Sequence, residues 1–470
     1  MVILKLFENY RPVSLLPAFS KILEKIMFNK VFNFLNKYDS LYKHQYGFRP
    51  KHSTTHPIIH FLNHCASVNN KKKSELTLAL FCDLSKAFDI INHKILLDKL
   101  KNYGIRGTAH SWFSSYMSNR TQFVNITNVC SSTLNINRGV PQGSILGPLL
   151  FLIYMNDIHL SSDINLLSFA DDTTIFTSAC AKHELFSKAN AAIEPLFNWF
   201  CANELYLNAK KTKYMIITPS QVKVDTSNMK LYIGSNVIDR VGQDFTTKTL
   251  TFLGLHLDEH LTWKQQIECT TSKIAKTLFA IKQSKHFLPS TSLVQLYKAL
   301  IQPQLIYGLQ IWGSANKTLL NKIGKIQKRA LRTITKANYN SHTEPLFRKC
   351  EILKIEDQYE HQTSLFMYDF VNNLLPKSFE NSFKLNIELI PDRTTRQSIL
   401  FFIPKAKNQF VSKLPHITFS QIWNKWKPLI DSNLPRHIFK RTLKSHMLDK
   451  YEKHITCSYR GCKDCSAIVK

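Results

Sequence analysis

Acidic side chains are scarce in this sequence. Lys and Arg number 62 against 33 Asp and Glu, a formal net charge of +29 over 470 residues. Such an excess attracts polyanions, nucleic acid first among them. An anionic membrane surface or a mere habit of composition would give the same imbalance. Long apolar runs are lacking too. The longest comparable stretch, Pro148–Met155, falls far below the ~20 residues that span a bilayer. The opening Met1-Val2-Ile3-Leu4-Lys5 is too short in apolar residues for a signal peptide. Its 10 cysteines are scattered and form no small-domain disulfide framework, which favours a reducing compartment. No internal repeat or long low-complexity tract occurs. The expected setting is intracellular and soluble, nucleus or cytoplasm, with no targeting signal identified. The length suffices for two or more domains, each with its own core.

What acids there are fall in telling places. Asp171 and Asp172 interrupt the apolar run Leu166–Phe176. Residues on both sides favour strands, so the run reads as a β-hairpin with the acids at its turn. An ordinary acidic turn would explain the dipeptide alone. Two close carboxylates nevertheless repel, and a partly buried ion needs a partner. Upstream, the short apolar strand Thr77–Cys82 ends directly on Asp83. An acid at a strand end, projecting toward a second strand's acidic turn, is one way a sheet builds a divalent-metal site. Mg²⁺ prefers oxygen ligands and keeps positions open for water and phosphate. Two such ions, ~3.5–4 Å apart, can clamp the attacking and leaving oxygens of a phosphoryl transfer.

The wider context carries five segments in a fixed order: Tyr10–Leu16 (YRPVSLL), Gln45–Pro50 (QYGFRP), Asp83–Asp89, Arg138–Leu149 (RGVPQGSILGPL) and Phe169–Asp172 (FADD). In kind and order they resemble the reverse transcriptases of non-LTR retrotransposons, the jockey-like branch above all. The likeness continues through Asn198–Phe200, Leu205–Asn208, Lys211-Thr212 and Phe252–Gly254, and resumes at Tyr297–Ile301 and Tyr307–Gly313. It covers roughly residues 8–340.

Along the chain, Ala18–Asn36 reads as a helix, followed by an irregular basic stretch through His52 and a polar break at Asn69–Lys73. From about residue 77 to 260 strands and helices alternate, with helical stretches at Lys94–Tyr103, His110–Met117, Ile145–Met155 and His183–Ala202. That alternation predicts a mixed sheet with helices on one face. The resemblance sharpens it to an α+β right-hand polymerase. Partial fingers would occupy residues 1–76, the palm 77–262, a helical basic thumb 263–345 and a helical region of unassigned role 346–470. Ser220–Gly242 reads as a loop or hairpin, and Glu356–Asn373 and Gln421–Pro428 as helices.

The resemblance implies an RNA-directed DNA polymerase with an RNA template, a DNA primer, dNTPs and two Mg²⁺ or Mn²⁺ ions. It assigns Asp83, Asp171 and Asp172 to those ions. Asp89 lies in the same motif but reads better as a structural acid capping its turn. An aromatic such as Phe88 after a strand usually belongs to the core; the resemblance makes it a steric gate beneath the incoming sugar. Gly139–Ser144 reads alone as a strand-to-helix turn. By likeness, Gln142 and Gly143 contact the nascent pair and the template backbone. Arg11 is the candidate grip on the triphosphate, since a planar fork suits phosphate. Arg49 would hold either the template or the fingers fold. Lys211 would protonate the leaving pyrophosphate, although the neighbouring Lys210 and Lys213 make a solvated basic loop an even alternative.

Lys322, Lys325, Lys328, Arg329 and Arg332 recur at steps of three and four residues opposite Ile323, Ile326, Leu331 and Ile334. That is an amphipathic helix with a cationic face, suited to a duplex backbone if it lies in a thumb. His454, Cys457, Cys462 and Cys465 could close a tetrahedral zinc site. Their spacing departs from the cysteine–histidine tails of several non-LTR elements, so free thiols are the preferred reading. No acidic set resembling ribonuclease H follows the thumb. The usual upstream fingers extension and endonuclease are expected to be missing, leaving a nick to another segment or chain. The competing expectation is therefore a catalytically inactive remnant that only binds nucleic acid.

Overall fold

The computed structural model describes residues 13–126, 129–242, 245–389 and 399–451. The chain divides into two compact units. Unit one takes the described residues of Met1–Pro57, Leu76–Ile216 and Lys223–Arg240, and unit two those of Ile58–Glu75, Ile217–Val222 and Val241–Lys470.

Unit one contains α1 (Ala18–Lys37) and the first residues of α2 (Thr55–Asn69), then β1 (Leu76–Cys82), α3 (His93–Asn102) and α4 (Gly107–Met117). Four two-residue strands follow, β2 (Thr121–Gln122), β3 (Asn125–Ile126), β4 (Val129–Cys130) and β5 (Leu134–Asn135). Next come α5 (Leu146–Met155), β6 (Asn165–Phe169), β7 (Asp172–Ala179), α6 (Lys182–Ala202), β8 (Lys213–Ile217), β9 (Leu231–Ile233) and β10 (Asn236–Arg240). One sheet gathers the longer strands in the order β6-β7-β1-β8-β10-β9. It is mixed: β1 and β6 both run antiparallel to β7, whereas β8 and β10 are parallel. The expected loop or hairpin at 220–242 is the β9–β10 hairpin.

β1 is buried at every residue from Thr77 to Cys82, so its sequence is apolar without alternation, as a strand covered on both faces requires. Leu78, Leu80 and Cys82 join Ile175, Tyr214 and Ile216 in a core shared with α3, α5 and α6. α5 is buried nearly all round, from Leu146 to Met155 with Pro148 the exception.

Unit two adds the hairpin β11 (Leu250–Phe252) and β12 (Leu255–Leu257), then helices. They are α7 (Lys264–Ser284), α8 (Ser290–Leu296), α9 (Gln302–Ile306), α10 (Leu309–Trp312), α11 (Lys317–Ile334), α12 (Glu344–Lys349) and α13 (Ile355–Val371). After these come α14 (Asn386–Leu389), α15 (Gln409–Ser412), α16 (Pro415–Trp426) and α17 (Arg436–Asp449). α7 packs along α11, and α13 packs on α16 and α17. Residues 58–75, read from the sequence as the end of a 1–76 segment, group with this unit. Ile58, Ile59, Phe61, Leu62, Cys65 and Ala66 are all buried, and Asn70 exchanges hydrogen bonds with the main chain of Lys405 and Lys407. No helix among the described residues is long and apolar enough to cross a membrane.

Candidate active site

The three acids come together through strand register. β1 pairs with β7 from Leu76↔Ala179 to Cys82↔Thr173, and one step further sets Asp83 level with Asp172. β6 and β7 close at Phe169↔Asp172, leaving Ala170 and Asp171 as a two-residue turn. All three carboxylates therefore stand at one end of the sheet. The Asp83 side chain is 40% exposed, Asp171 is half-buried and Asp172 exposed. Segment 206–212 docks beside Asp83. The Asp83 backbone N–H donates to Thr212 Oγ1 (3.2 Å) and the Asp83 carbonyl accepts from the Asn208 N–H (2.9 Å). The same segment brings the exposed Lys211 Nζ to 3.9 Å from Asp83 Oδ2, a distance at which a solvated pair adds little stability.

The donor set is all oxygen, suited to a hard divalent ion. Among the described residues no three His, Cys, Asp or Glu side chains converge into a ready-made cage. An ion here would complete its sphere with water and phosphate, as Mg²⁺ commonly does.

A loop 125 residues upstream holds the acidic turn. Gln45 is only 4% exposed; its Oε1 accepts from the N–H groups of Gly47 (2.9 Å) and Ala170 (3.1 Å), and its Nε2 donates to the Ala170 carbonyl (3.5 Å). Ser168 and the loop exchange main-chain bonds, Tyr46 N–H to Ser168 O at 2.8 Å and Ser168 N–H to His44 O at 3.0 Å. Ala170 has φ 57°, unusual for a residue other than glycine, and these bonds fix it there. Gly47 is required by space: a Cβ would lie 2.2 Å from Ala170 N.

The segment 139–147 is tied to the turn that follows Asp83. Val140 N–H donates to Phe88 O (2.9 Å), and Gln142 Nε2 donates to Asp89 Oδ1 (2.8 Å). Asp89 also closes its own turn through its N–H to Lys86 O (2.8 Å), so one acid caps the turn and aims Gln142. Gly143 is exposed with φ 113°, a left-handed backbone that admits close approach of a ligand. Phe88 is half-buried and stacks on the fully buried Phe151, with centroids 4.3 Å apart and planes 17° off parallel.

Sequence reasoning passed over Glu24. This acid of α1 is 1% exposed and accepts from Tyr116 Oη (2.8 Å) and the Ile145 N–H (2.7 Å). It thereby fastens the start of α5 and the loop before it. Glu24→Ala would leave a hydroxyl and an N–H without their charged acceptor. The expected loss is roughly 1.5–3 kcal/mol by urea denaturation; a change near zero would show that the site tolerates water in its place.

Arg49 is half-buried, and its Nη1 donates to the carbonyls of Tyr42 (2.8 Å) and Gln45 (3.3 Å). Burial draws its pKa below the ordinary arginine value. The guanidinium thus braces the loop that carries Gln45. Arg11 lies outside the described residues, as do His454, Cys457, Cys462 and Cys465. In unit two, α11 buries Leu320, Ile323, Ala330, Leu331 and Ile334 and exposes Lys322, Lys325, Lys328 and Arg329. Lys322 has Glu268 at 3.8 Å. Arg332 departs from this face: it is half-buried, donates to Ser341 O (3.0 Å) and lies over the Tyr339 ring.

A mixed sheet presenting three acids beside a glycine-containing loop is the palm arrangement of a polymerase of the right-hand class. Residues 3–257, over half of the chain, match the family described as reverse transcriptase (RNA-dependent DNA polymerase), and the chain belongs to that family. Among curated proteins it is 28% identical over 376 residues to the probable RNA-directed DNA polymerase from transposon BS of Drosophila melanogaster, covering 76% of this chain and 40% of that protein. It is 27% identical over 372 residues to the RNA-directed DNA polymerase from mobile element jockey of the same fly, covering 77% and 39%. The probable enzyme of transposon X-element matches at 25% over 367 residues, 76% and 39%. These relatives bear out the likeness to non-LTR elements of the jockey-like branch, and the chain spans about two fifths of their length. A solved structure of telomerase from Candida albicans with a TWJ fragment of telomeric RNA is similar at TM-score 0.41 and 12% identity, over 77% of this chain and 57% of that one. Apo telomerase from Candida tropicalis gives 0.39 and 14%, over 76% and 59%.

Proposed function

We propose that this chain is an RNA-directed DNA polymerase that joins dNTPs to a primer 3′-hydroxyl on an RNA template. The observation that carries the reading is the β1–β7 register, which sets Asp83 level with Asp172 beside the Asp171 turn. These carboxylates would hold two divalent ions, Mg²⁺ or Mn²⁺. When bound, such ions lower the pKa of the attacking hydroxyl and neutralise charge on the triphosphate. Gln142, aimed by Asp89, and Gly143 meet the nascent pair and the template backbone. The Phe88 ring, backed by Phe151, fills the space that a ribose 2′-hydroxyl would need, so selection for dNTPs is by excluded volume. Lys211 stands near Asp83 as a proton donor to pyrophosphate, and Arg11 is assigned to the triphosphate. The proposed setting is intracellular, nucleus or cytoplasm, where dNTPs and template occur.

The test is extension of oligo(dT) on poly(rA) with Mg²⁺ and dTTP, beside Asp171→Asn. Extension by the parent, lost in the variant, supports the reading. Salt-dependent duplex binding with no extension overturns it in favour of a binding remnant.

We assign the outward face of α11 to the nucleic-acid backbone. Neutralising Lys325, Lys328 and Arg329 together should reduce the slope of log Kd against log salt by roughly 2–3, about 0.9 per lost phosphate contact. An unchanged slope removes α11 from the interface.

A further inference from the structure

We propose that Phe48 is a positioning residue for sugar selection, holding the Phe88 ring edge-on so that the gate cannot tip away from a 2′-hydroxyl. This inference rests on the reading of Phe88 as the gate. Three observations support it.

The first is geometric. Phe88 is stacked on Phe151 across one face, which blocks displacement toward the core. Phe48 meets the same ring in a T-shaped contact, with centroids 5.9 Å apart and planes at 89°. Edge-to-face packing is a favoured arrangement of two aromatic rings, and here it opposes rotation out of the stack. Excluded volume discriminates only if the excluding group does not yield.

The second is conformational. Phe48 has φ 53°, a left-handed backbone that a bulky side chain rarely adopts. The residue is nevertheless 46% exposed, so it is not held there as a member of the buried core. Strained residues that persist are held by their surroundings and cluster at functional sites.

The third is the rigidity of the mount. Gly47 lies against Ala170, Gln45 binds both polar groups of that residue, and the Arg49 guanidinium is tied to the carbonyls of Tyr42 and Gln45. The loop that presents Phe48 is therefore fixed to the acidic turn on one side while its ring touches the gate on the other. Sugar selection and the metal-binding turn share one support.

The test compares dTTP with ribothymidine triphosphate on poly(rA)/oligo(dT) for the parent, Phe48→Ala, Phe48→Tyr and Phe88→Ala. The ratio of the two kcat/KM values is the readout, because a partly misfolded preparation lowers both terms alike. Phe48→Ala should erode the preference for dTTP roughly two- to tenfold, the factor that an edge-to-face ring pair represents. Phe88→Ala should erode it further, and Phe48→Tyr, which keeps the ring, should retain it. A parent-like ratio in Phe48→Ala with a collapsed ratio in Phe88→Ala overturns this inference and leaves the gate standing. Parent-like ratios in both overturn the gate reading, and this inference with it. Retention of the two nucleotides on a dideoxy-terminated primer–template, measured by filter binding, gives the same comparison without turnover and decides the matter if extension is too slow to time.

Discussion

Asp171→Asn should lower the rate of primer extension by at least about 10³-fold, with duplex affinity kept within a factor of about two. Asparagine matches aspartate in shape, so the two-residue turn is preserved, and Ala170 stays bound to Gln45 on its other side. What is lost is the negative charge that makes the oxygen a ligand for a hard cation. Duplex binding is expected to draw instead on the large cationic excess of the chain, which one acid hardly alters. The two readouts should therefore separate. Single-turnover extension reports the first and filter binding the second. If the variant extends at more than about a tenth of the parent rate, the stabilisation that a catalytic carboxylate provides is not supplied by this residue.

Gly47→Ala should cost about 10²-fold in extension, although Gly47 is buried and carries no side chain. The added methyl would stand 2.2 Å from Ala170 N and 2.9 Å from Ala170 Cα. Both are main-chain atoms, so relief requires the turn or the loop to shift. Displacement of a catalytic group by ~1 Å can remove that much rate. The loss should appear in kcat, since the atoms that must move belong to the acidic turn. A parent-like kcat, corrected for active fraction by burst titration, would show that the loop merely lies against the turn without setting it.

What was legible in the sequence was local. The apolar run before Asp83 and the strand–turn–strand pattern around Asp171 give β1, β6 and β7 with small errors at their ends. The alternation of cationic and apolar residues gives α11. From the sequence no element is assigned to most of α2: Pro57 near its start and the histidines that follow dilute the pattern. A proline in a first turn removes no intrahelical bond, and the helix runs from Thr55 to Asn69. The non-local parts were hidden. Gln45 acts on Ala170 across 125 residues through main-chain groups that no sequence pattern records. Glu24 sits among lysines and resembles any surface acid of a helix, yet it is buried under Ile145 and Tyr116. Arg49 reads from its motif as holding either the template or the fingers fold, and its bonds go to carbonyls of its own loop. Likeness names the residues of a motif; only the fold tells which of them brace the others.

The bonds between Ser168 and residues 44–46 also settle how β6, the outermost strand on its side of the sheet, ends its hydrogen bonding. A bare strand margin is a template on which a second polypeptide can add itself, the first step of many aggregates. Here residues 44–46 occupy part of that margin. They also precede β6 by some 120 positions, so on the ribosome they are made first. When β6 emerges, the segment that covers part of its margin has already been made.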